Sequence, residues 1–368
     1  MEIYMSDRWP GESVAVVGAG MAGLSCAREL TDAGLRVTMF EKSRGVSGRM
    51  STRRVEAGTH TLQAWQCDHG AQYFSARNPL FCSQVKRWED AGVVAQWQPR
   101  IHTVGTRPQA LGADPQKVQR YVGIPGMTAP AHMLANGIEL IANTRTTGIE
   151  HRGDAWFLTQ ERLPDPVGPF RHLVLAVPAQ QAADLLASIT HHSGHTTGIT
   201  QALSSCRQYA LRPCWALMLH FVHTQIESND YKADFDAAFV NSTSDQNCIA
   251  SWVARDSSKP DRLHNRADTW LLHASPAWSE QHLESDQQWV FDQLLAEFRR
   301  VTGIQAQASN SGLHRWRYAQ AGNTDNSPGQ LWLDDLNLGL CGDWLNGGRV
   351  EGAWLSGYQL AQRMLAAS

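Results

Sequence analysis

The stretch SVAVVGAGMAGLSCARELTDAGLRVTMFEK (residues 13–42) decides the fold. SVAVV is a short β-branched apolar run bounded by glycine, which predicts a buried strand. MAGLSCARELTDAG places Met21, Leu24, Ala27 and Leu30 three apart on one stripe, which predicts a helix stopped at Gly34. RVTMFEK predicts a second strand. A strand, helix and strand joined this tightly imply parallel pairing through a right-handed crossover, and so an α/β domain.

Gly18-Ala19-Gly20-Met21-Ala22-Gly23 joins that strand to that helix as GxGxxG. Gly18 permits a tight turn, Gly20 lets backbone approach a pyrophosphate, and Gly23 lets helix and strand pack. The helix start, at Met21 and Ala22, offers unpaired N–H groups and partial positive charge to phosphate. Glu41 closes the second strand 23 residues after Gly18, where a carboxylate accepts from a ribose diol, with Lys42 beside it. The motif alone does not separate FAD from NAD. The continuation SGRMSTRR from Ser47 favours FAD: an extended flavin dinucleotide needs more loop than a simple dehydrogenase supplies, and a cation near its phosphates. Gly48 and Arg49 are the residues for that role.

Farther out, residues 43–72 read as loop and 79–92 as a helix. Residues 93–104 and 117–123 read as strands, with a Pro/Gly-rich hairpin-like segment between them. A short helix near 126–137, strands within 138–151 and 155–159, the buried strand HLVLAVP and a helix over 179–189 follow. PCWALMLHF then alternates, with Trp215, Leu217, Leu219 and Phe221 on one side, and DAAFVN, CIASWVA and TWLLHA continue as strands. SDQQWVFDQLLAEFRRVTG reads as an amphipathic helix with a Ser285–Gln288 capping box and a stripe of Val290, Phe291, Leu294, Leu295 and Phe298. LNLGLCGD reads as a strand, and the glycine-rich GDWLNGGRVEGAWLSG leads into a last helix ending near Ala366.

The chain has 368 residues, 42% of them hydrophobic, enough for a large core and two domains. A net charge of -3 without a basic stripe argues against a nucleic-acid surface. Seven cysteines without a CxxC pair point to reduced thiols in a cytoplasmic protein rather than a disulfide framework or metal site. The first 13 residues show no signal-peptide pattern, and residues 13–30, with three glycines and Arg28, make a poor membrane span. Fourteen tryptophans against seven tyrosines suggest that some stack on a flat ring.

Taken together, residues 18–23, Glu41, SGRM (47–50), DHGAQYF (68–74), LVLAVP and CGDWLNGGRVEGAWLSG resemble the FAD-dependent amine-oxidase-like superfamily. DHGAQYFSAR, VGIPGM, RPCWAL, TWLLHA, HRWRYA and GRVEGAWLSG, in that order, resemble more closely the bacterial renalase-like family. The resemblance covers nearly the whole chain. It implies a Rossmann-like FAD-binding domain (10–77, 122–186 and 325–368) and a smaller α+β substrate domain with a mainly antiparallel sheet (78–121 and 187–324), arranged as in p-hydroxybenzoate hydroxylase-like flavoproteins. It implies that Gly342 and Asp343 serve the ribityl chain or pyrophosphate. Val350, Glu351, Gly352 and Ala353 would start a helix aimed at the flavin N1/C2=O edge, where its dipole stabilises the charge of a reduced ring. Gly70, Ala71 and Gln72 would lie at the ring, and Thr146 at the adenosine end. No cysteine stands within 345–350, so the FAD is expected to be non-covalent.

Two departures stand out: Ser47 where the family has glycine, and His69 where an apolar residue is expected, after a longer 56–67 loop. No lysine matches the one that amine-oxidising relatives place near N5; the last two are Lys232 and Lys259. The resemblance instead implies oxidation of 2- or 6-dihydro isomers of NAD(P), with hydride passing to flavin N5 and then O2 giving hydrogen peroxide. Because the product regains aromaticity as NAD(P)+, no general base is required. The substrate-binding residues implied are Tyr73, Phe74, Ser75, Ala76, Arg77, Arg120, Tyr121, Trp215 and Trp344, with His273 and Arg315 as weaker candidates. The expected partners are this small dinucleotide and O2, with no metal, nucleic acid or membrane. An amine or other small-molecule oxidase, and a non-catalytic FAD-binding protein, are the alternatives.

Overall fold

The computed structural model describes residues 13–58, 63–105, 118–189, 196–232, 234–241, 248–263, 266–322 and 324–367. The chain forms two compact units: one is Met1–Gly48, Leu134–Ala210 and Ala321–Ser368, and the other is Arg49–Met133 and Leu211–Gln320.

The first unit is built on a six-stranded sheet in the order Leu331–Leu333, Leu338–Leu340, His172–Leu175, Ser13–Val17, Arg36–Phe40, Glu139–Ile141. All pairs are parallel except the antiparallel Leu331–Leu333 edge. Every residue of Ser13–Val17 is buried, as a central parallel strand requires. The helix Met21–Asp32 packs against the last helix, Val350–Ala367. Gly357 permits that closeness, since a Cβ there would sit 2.0 Å from the Ala22 carbonyl oxygen. A second, antiparallel sheet of Thr146–Arg152, Ala155–Gln160 and Val167–Phe170 completes this unit.

The second unit carries a six-stranded sheet in the order Asn310–Ala321, Leu211–Phe221, Asp268–Ala274, Ala250–Arg255, Ala237–Val240, Ile101–Val104. Its central pairs are antiparallel, and Ile101–Val104 joins in parallel. Leu211–Phe221 is covered on both faces. Trp215, Leu217, Leu219 and Phe221 enter the core that Val290, Leu294 and Phe298 complete from the helix Gln287–Thr302. Ala216 and Met218 pack with Trp65, Cys67 and Leu271 on the other side. The α/β class, a parallel sheet in one unit and a mainly antiparallel one in the other, is therefore as expected.

Other expectations are corrected. The supposed loop 43–72 contains Thr52–Val55 paired antiparallel with Trp65–Asp68. The first of these is polar, and glycines flank the pair, so no apolar alternation announced it. The helix Gln287–Thr302 is capped by Asp286, whose carboxylate accepts from the Trp289 N–H at 2.9 Å, rather than by a Ser285–Gln288 box. The helices Thr196–Gln208 and Pro276–Gln281 and the strands Val167–Phe170 and Asn310–Ala321 were not foreseen. The compact units divide the chain differently from the expected domains: 49–77 and 122–133 fall in the second unit, and 187–210 and 321–324 in the first. Asp68 bonds to the Met127 N–H within the second unit, and in the first a Cβ on Gly198 would meet Leu333 at 2.9 Å. The Pro/Gly-rich segment over 106–117, residues 1–12 and residues 59–62 of the longer loop lie outside the described residues. Among the described residues no helix is long and apolar enough to cross a membrane.

Candidate cofactor and substrate sites

In the first unit the glycine loop has two kinds of glycine. Gly18 adopts φ +106° and has no room for a side chain, because a Cβ would meet the Ala176 carbonyl oxygen at 2.5 Å. Gly23 is equally closed, its Cβ position lying 2.0 Å from the Gly18 carbonyl oxygen. Gly20 is the opposite. Its φ is -80°, which any residue adopts, and nothing lies within 4 Å of its Cβ position. It also stands at the N-cap of Met21–Asp32 without a side-chain cap. The loop is thus closed where strand and helix meet and open where a phosphate would approach free N–H groups.

Glu41 is buried, and its two oxygens accept from the Ala19 and Ser43 N–H groups at 2.9 and 2.8 Å. These bonds fix the carboxylate beside the glycine loop and leave lone pairs for a diol. Lys42 is exposed. Ser47 donates its N–H to the Ala19 carbonyl at 2.9 Å and holds φ +108°, a left-handed conformation that strains a residue with a Cβ. Gly48, at φ +54°, comes so near that a Cβ would stand 3.2 Å from Gly20 Cα. Thr146 opens its strand and accepts from Gln160 Nε2 at 3.0 Å.

The C-terminal stretch is shaped by steric demands of the same kind. A Cβ on Gly342 would lie 2.4 Å from Trp344 Nε1, and one on Gly352 would lie 1.8 Å from the Asn346 carbonyl oxygen. Asp343 is buried, and its carbonyl accepts from the Gly348 N–H at 2.8 Å, folding 343–348 into a tight turn before the last helix. Val350, Glu351, Gly352 and Ala353 form the first turn of that helix. Trp344, expected at the substrate, is fully buried in this unit, and its Nε1 donates to the Val177 carbonyl. The Cys341 thiol is also fully buried, and burial pushes its pKa up to about 12.

In the second unit Arg49 is half-buried and donates to the Ala319 carbonyl at 3.0 Å. The loop 68–74 folds against it: Ala71 N–H donates to the Arg49 carbonyl at 2.8 Å, and a Cβ on Gly70 would sit 1.9 Å from that oxygen. Tyr73 is half-buried beside Trp97 and Trp252, and the Arg120 guanidinium lies 5.0 Å from its ring centroid. Arg120 is 4% exposed, donates to the Val118 carbonyl at 2.8 Å, and pairs with no carboxylate among the described residues. Ser75 and Ala76 are half-buried and Arg77 is exposed.

Five other candidates are packed into the framework. Phe74 and Tyr121 stack at 5.8 Å, Phe74 also packs with Phe81 and Trp88, and both are buried in the core. Trp215 is 1% exposed, its Nε1 donates to the His282 carbonyl, and it is core as well. Arg315 pairs with Glu284 at 2.8 Å. His273 contacts the His69 carbonyl at 3.1 Å, and burial lowers its pKa to about 4. His69, the unexpected residue, stacks on Trp316 at 5.2 Å and meets His314 at 4.9 Å. Burial, with His314 and Arg53, lowers its pKa to about 3.

Sequence reasoning missed a charged cluster in the second unit. Asp68, Asp256, Lys259 and Arg262 are all at least 96% buried. Asp68 accepts from Lys259 Nζ (3.0 Å), Arg262 Nη2 (2.6 Å), Thr52 Oγ1 (2.6 Å) and the Met127 N–H (3.1 Å). Burial opposes its ionisation, yet Lys259 and Arg262 hold its carboxyl below the usual range. Burial and the Asp68 charge push Asp256 the other way. The run DSSKPDR gave no sign of this cluster, because its partner Asp68 lies 191 residues from Lys259.

The chain matches the NAD(P)-binding Rossmann-like domain over residues 16–88 and the flavin-containing amine oxidoreductases over residues 103–365. It is similar to an L-amino-acid oxidase of Siganus canaliculatus, 38% identical over 68 residues, which are 18% of this chain and 12% of that protein. A match to the Bungarus fasciatus L-amino-acid oxidase is 39% identical over 75 residues, 20% of this chain and 14% of that one. These curated relatives are thus matched over only about an eighth of their length. Solved structures similar in fold include the cyclohexylamine oxidase of Brevibacterium oxydans IH-35A (TM-score 0.68, 13% identity, 96% of this chain and 98% of that one). A putrescine oxidase bound to putrescine is similar too (TM-score 0.66, 12% identity, 96% and 99%). The open Gly20, the fixed Glu41 and the uncapped helix fit the dinucleotide of a flavin. The chain therefore belongs to the flavin-containing amine oxidoreductase family.

Proposed function

We propose that the protein is a renalase-like oxidase of dihydro-NAD(P) isomers in the cytoplasm, with FAD held non-covalently. When bound, the FAD supplies a two-electron acceptor that O2 reoxidises with release of hydrogen peroxide. Within the first unit the phosphates of FAD are assigned to the loop at Gly18, Gly20 and Gly23, its ribose to Glu41 and its ring to the start of the last helix; within the second, Arg49 is assigned to phosphate and Gly70, Ala71 and Gln72 to the ring. Burial of the Cys341 thiol supports non-covalent attachment.

The observation that carries the substrate reading is Arg120, a buried guanidinium that faces no carboxylate among the described residues. A buried cation without a counter-ion attracts a phosphate-bearing ligand and repels a protonated amine. Tyr73 beside it offers an aromatic face to a flat ring. Lys259, whose ammonium is occupied by two carboxylates, is in no position to serve as a base for amine chemistry, and the dihydronicotinamide reaction needs none.

The names of the similar proteins favour a second reading, oxidation of an amine or amino acid. Anaerobic stopped-flow mixing separates the two. Rapid bleaching of the yellow protein by 2- or 6-dihydro-NAD(P), lost on Arg120→Met, is the expected result. Bleaching by amines instead, strengthened by Arg120→Met, establishes the second reading. A protein that no donor bleaches is a non-catalytic FAD carrier.

A further inference from the structure

The buried cluster of Asp68, Asp256, Lys259 and Arg262 has no role in the reaction as proposed. Buried ion pairs are weak sources of stability, because desolvation of both partners offsets their attraction. The contacts of Lys259 suggest a different use. Its Nζ donates to Asp256 Oδ1 at 2.7 Å, to Asp68 Oδ2 at 3.0 Å and to Gln72 Oε1 at 3.4 Å. An ammonium has three donors, so all are committed. The contact to Gln72 fixes which way its amide points. With its oxygen on Lys259, the amide nitrogen donates back to the carbonyls of Asp68 and Gly70. The side chain of Gln72 therefore closes the loop 68–72 on itself. Arg262 ties the same carboxylate to the Gly123 carbonyl at 2.9 Å.

We propose that Lys259 is a positioning residue that sets the backbone of the 68–72 loop through Asp68 and Gln72. The inference rests on the assignment of that loop to the flavin ring. Backbone shifts of an ångström at such a loop change the contacts a bound ring receives.

The test compares Lys259→Met/Asp256→Asn, which removes one cation and one anion and keeps the Asp68–Arg262 pair, with Lys259→Arg, Gln72→Leu and Ala71→Leu. FAD is the probe, read by its bound absorption spectrum and by its Kd from fluorescence quenching. The double variant is expected to melt cooperatively, to show a displaced flavin spectrum and to bind FAD about tenfold more weakly. Gln72→Leu is expected to reproduce the spectral change with the ionic cluster intact, and Lys259→Arg to restore most of it. An unchanged spectrum and Kd in the double variant, while Ala71→Leu displaces the spectrum, overturns the role of Lys259 alone. An unchanged spectrum in Ala71→Leu removes the loop from the ring and overturns both. If the double variant does not fold, Gln72→Leu decides on the same terms.

Discussion

Glycines at the two ends of this chain do different work, and substitution separates them. A Cβ on Gly357 would meet the Ala22 carbonyl oxygen at 2.0 Å and the Cys26 nitrogen at 3.0 Å, both backbone atoms that cannot swing aside. Gly357→Ala is expected to force the first and last helices apart and cost about 1–3 kcal/mol of stability, seen as a lower denaturant midpoint. Gly20→Ala meets no protein atom, at a φ of -80° that alanine adopts freely. It is expected to leave the midpoint of the FAD-free protein within about 0.5 kcal/mol and to weaken FAD binding at least about tenfold. Equal damage to folding and to binding in both variants would show that Gly20 is only a packing glycine. The role proposed for Gly20 was open to sequence reading because its spacing to Gly18, Gly23 and Glu41 is a local pattern. Lys259 was not, since its partners Asp68 and Gln72 lie far away in the chain and no local rule pairs them.

Elements were legible where apolar spacing was strong. Ser13–Val17, Met21–Asp32 and Gln287–Thr302 stand where the pattern put them, and Phe291 and Leu295 pack at the edge of the core the stripe implied. Strands with little such contrast were missed: Thr52–Val55 reads TRRV, and Asn310–Ala321 sets Leu313 beside Arg315 and Arg317 on one face and Trp316 beside Asn310 and Gln320 on the other, so neither face reads as apolar. The Gln287–Thr302 helix shows how an end is misjudged by one residue. Ser285 and Gln288 make a plausible capping box, but the side chain that accepts a first-turn N–H belongs to Asp286. Asp286→Ala is therefore expected to cost about 1 kcal/mol by chemical denaturation, and Ser285→Ala less than about 0.5 kcal/mol. The reverse order would reinstate Ser285 as the cap.

At the scale of the whole molecule, histidine burial sets an acid limit. Burial lowers the pKa of His69 to about 3 and those of His172, His220 and His273 to about 4, and it lowers His314 as well. Other cations deepen the shift: His314 and Arg53 at His69, Arg171 at His172. In the unfolded chain each titrates near the ordinary value of about 6.5. Below that pH the unfolded state binds protons that the folded state refuses, so stability must fall as pH falls from about 6.5 toward 4. Each histidine contributes a slope of about 1.4 kcal/mol per pH unit once the unfolded form is protonated. Asp68, held low by Lys259 and Arg262, acts in the same direction below about pH 4, and Asp256, pushed up, opposes it. Several histidines acting together exhaust a stability of about 5–15 kcal/mol within one to three pH units. Denaturant midpoints at pH 7, 6 and 5 and constant ionic strength should therefore drop steadily. His69→Leu, which removes one such group, should flatten the slope by about 1.4 kcal/mol per pH unit. Midpoints that hold level between pH 7 and 5 would mean that these histidines take up protons in the folded protein as readily as in the unfolded chain.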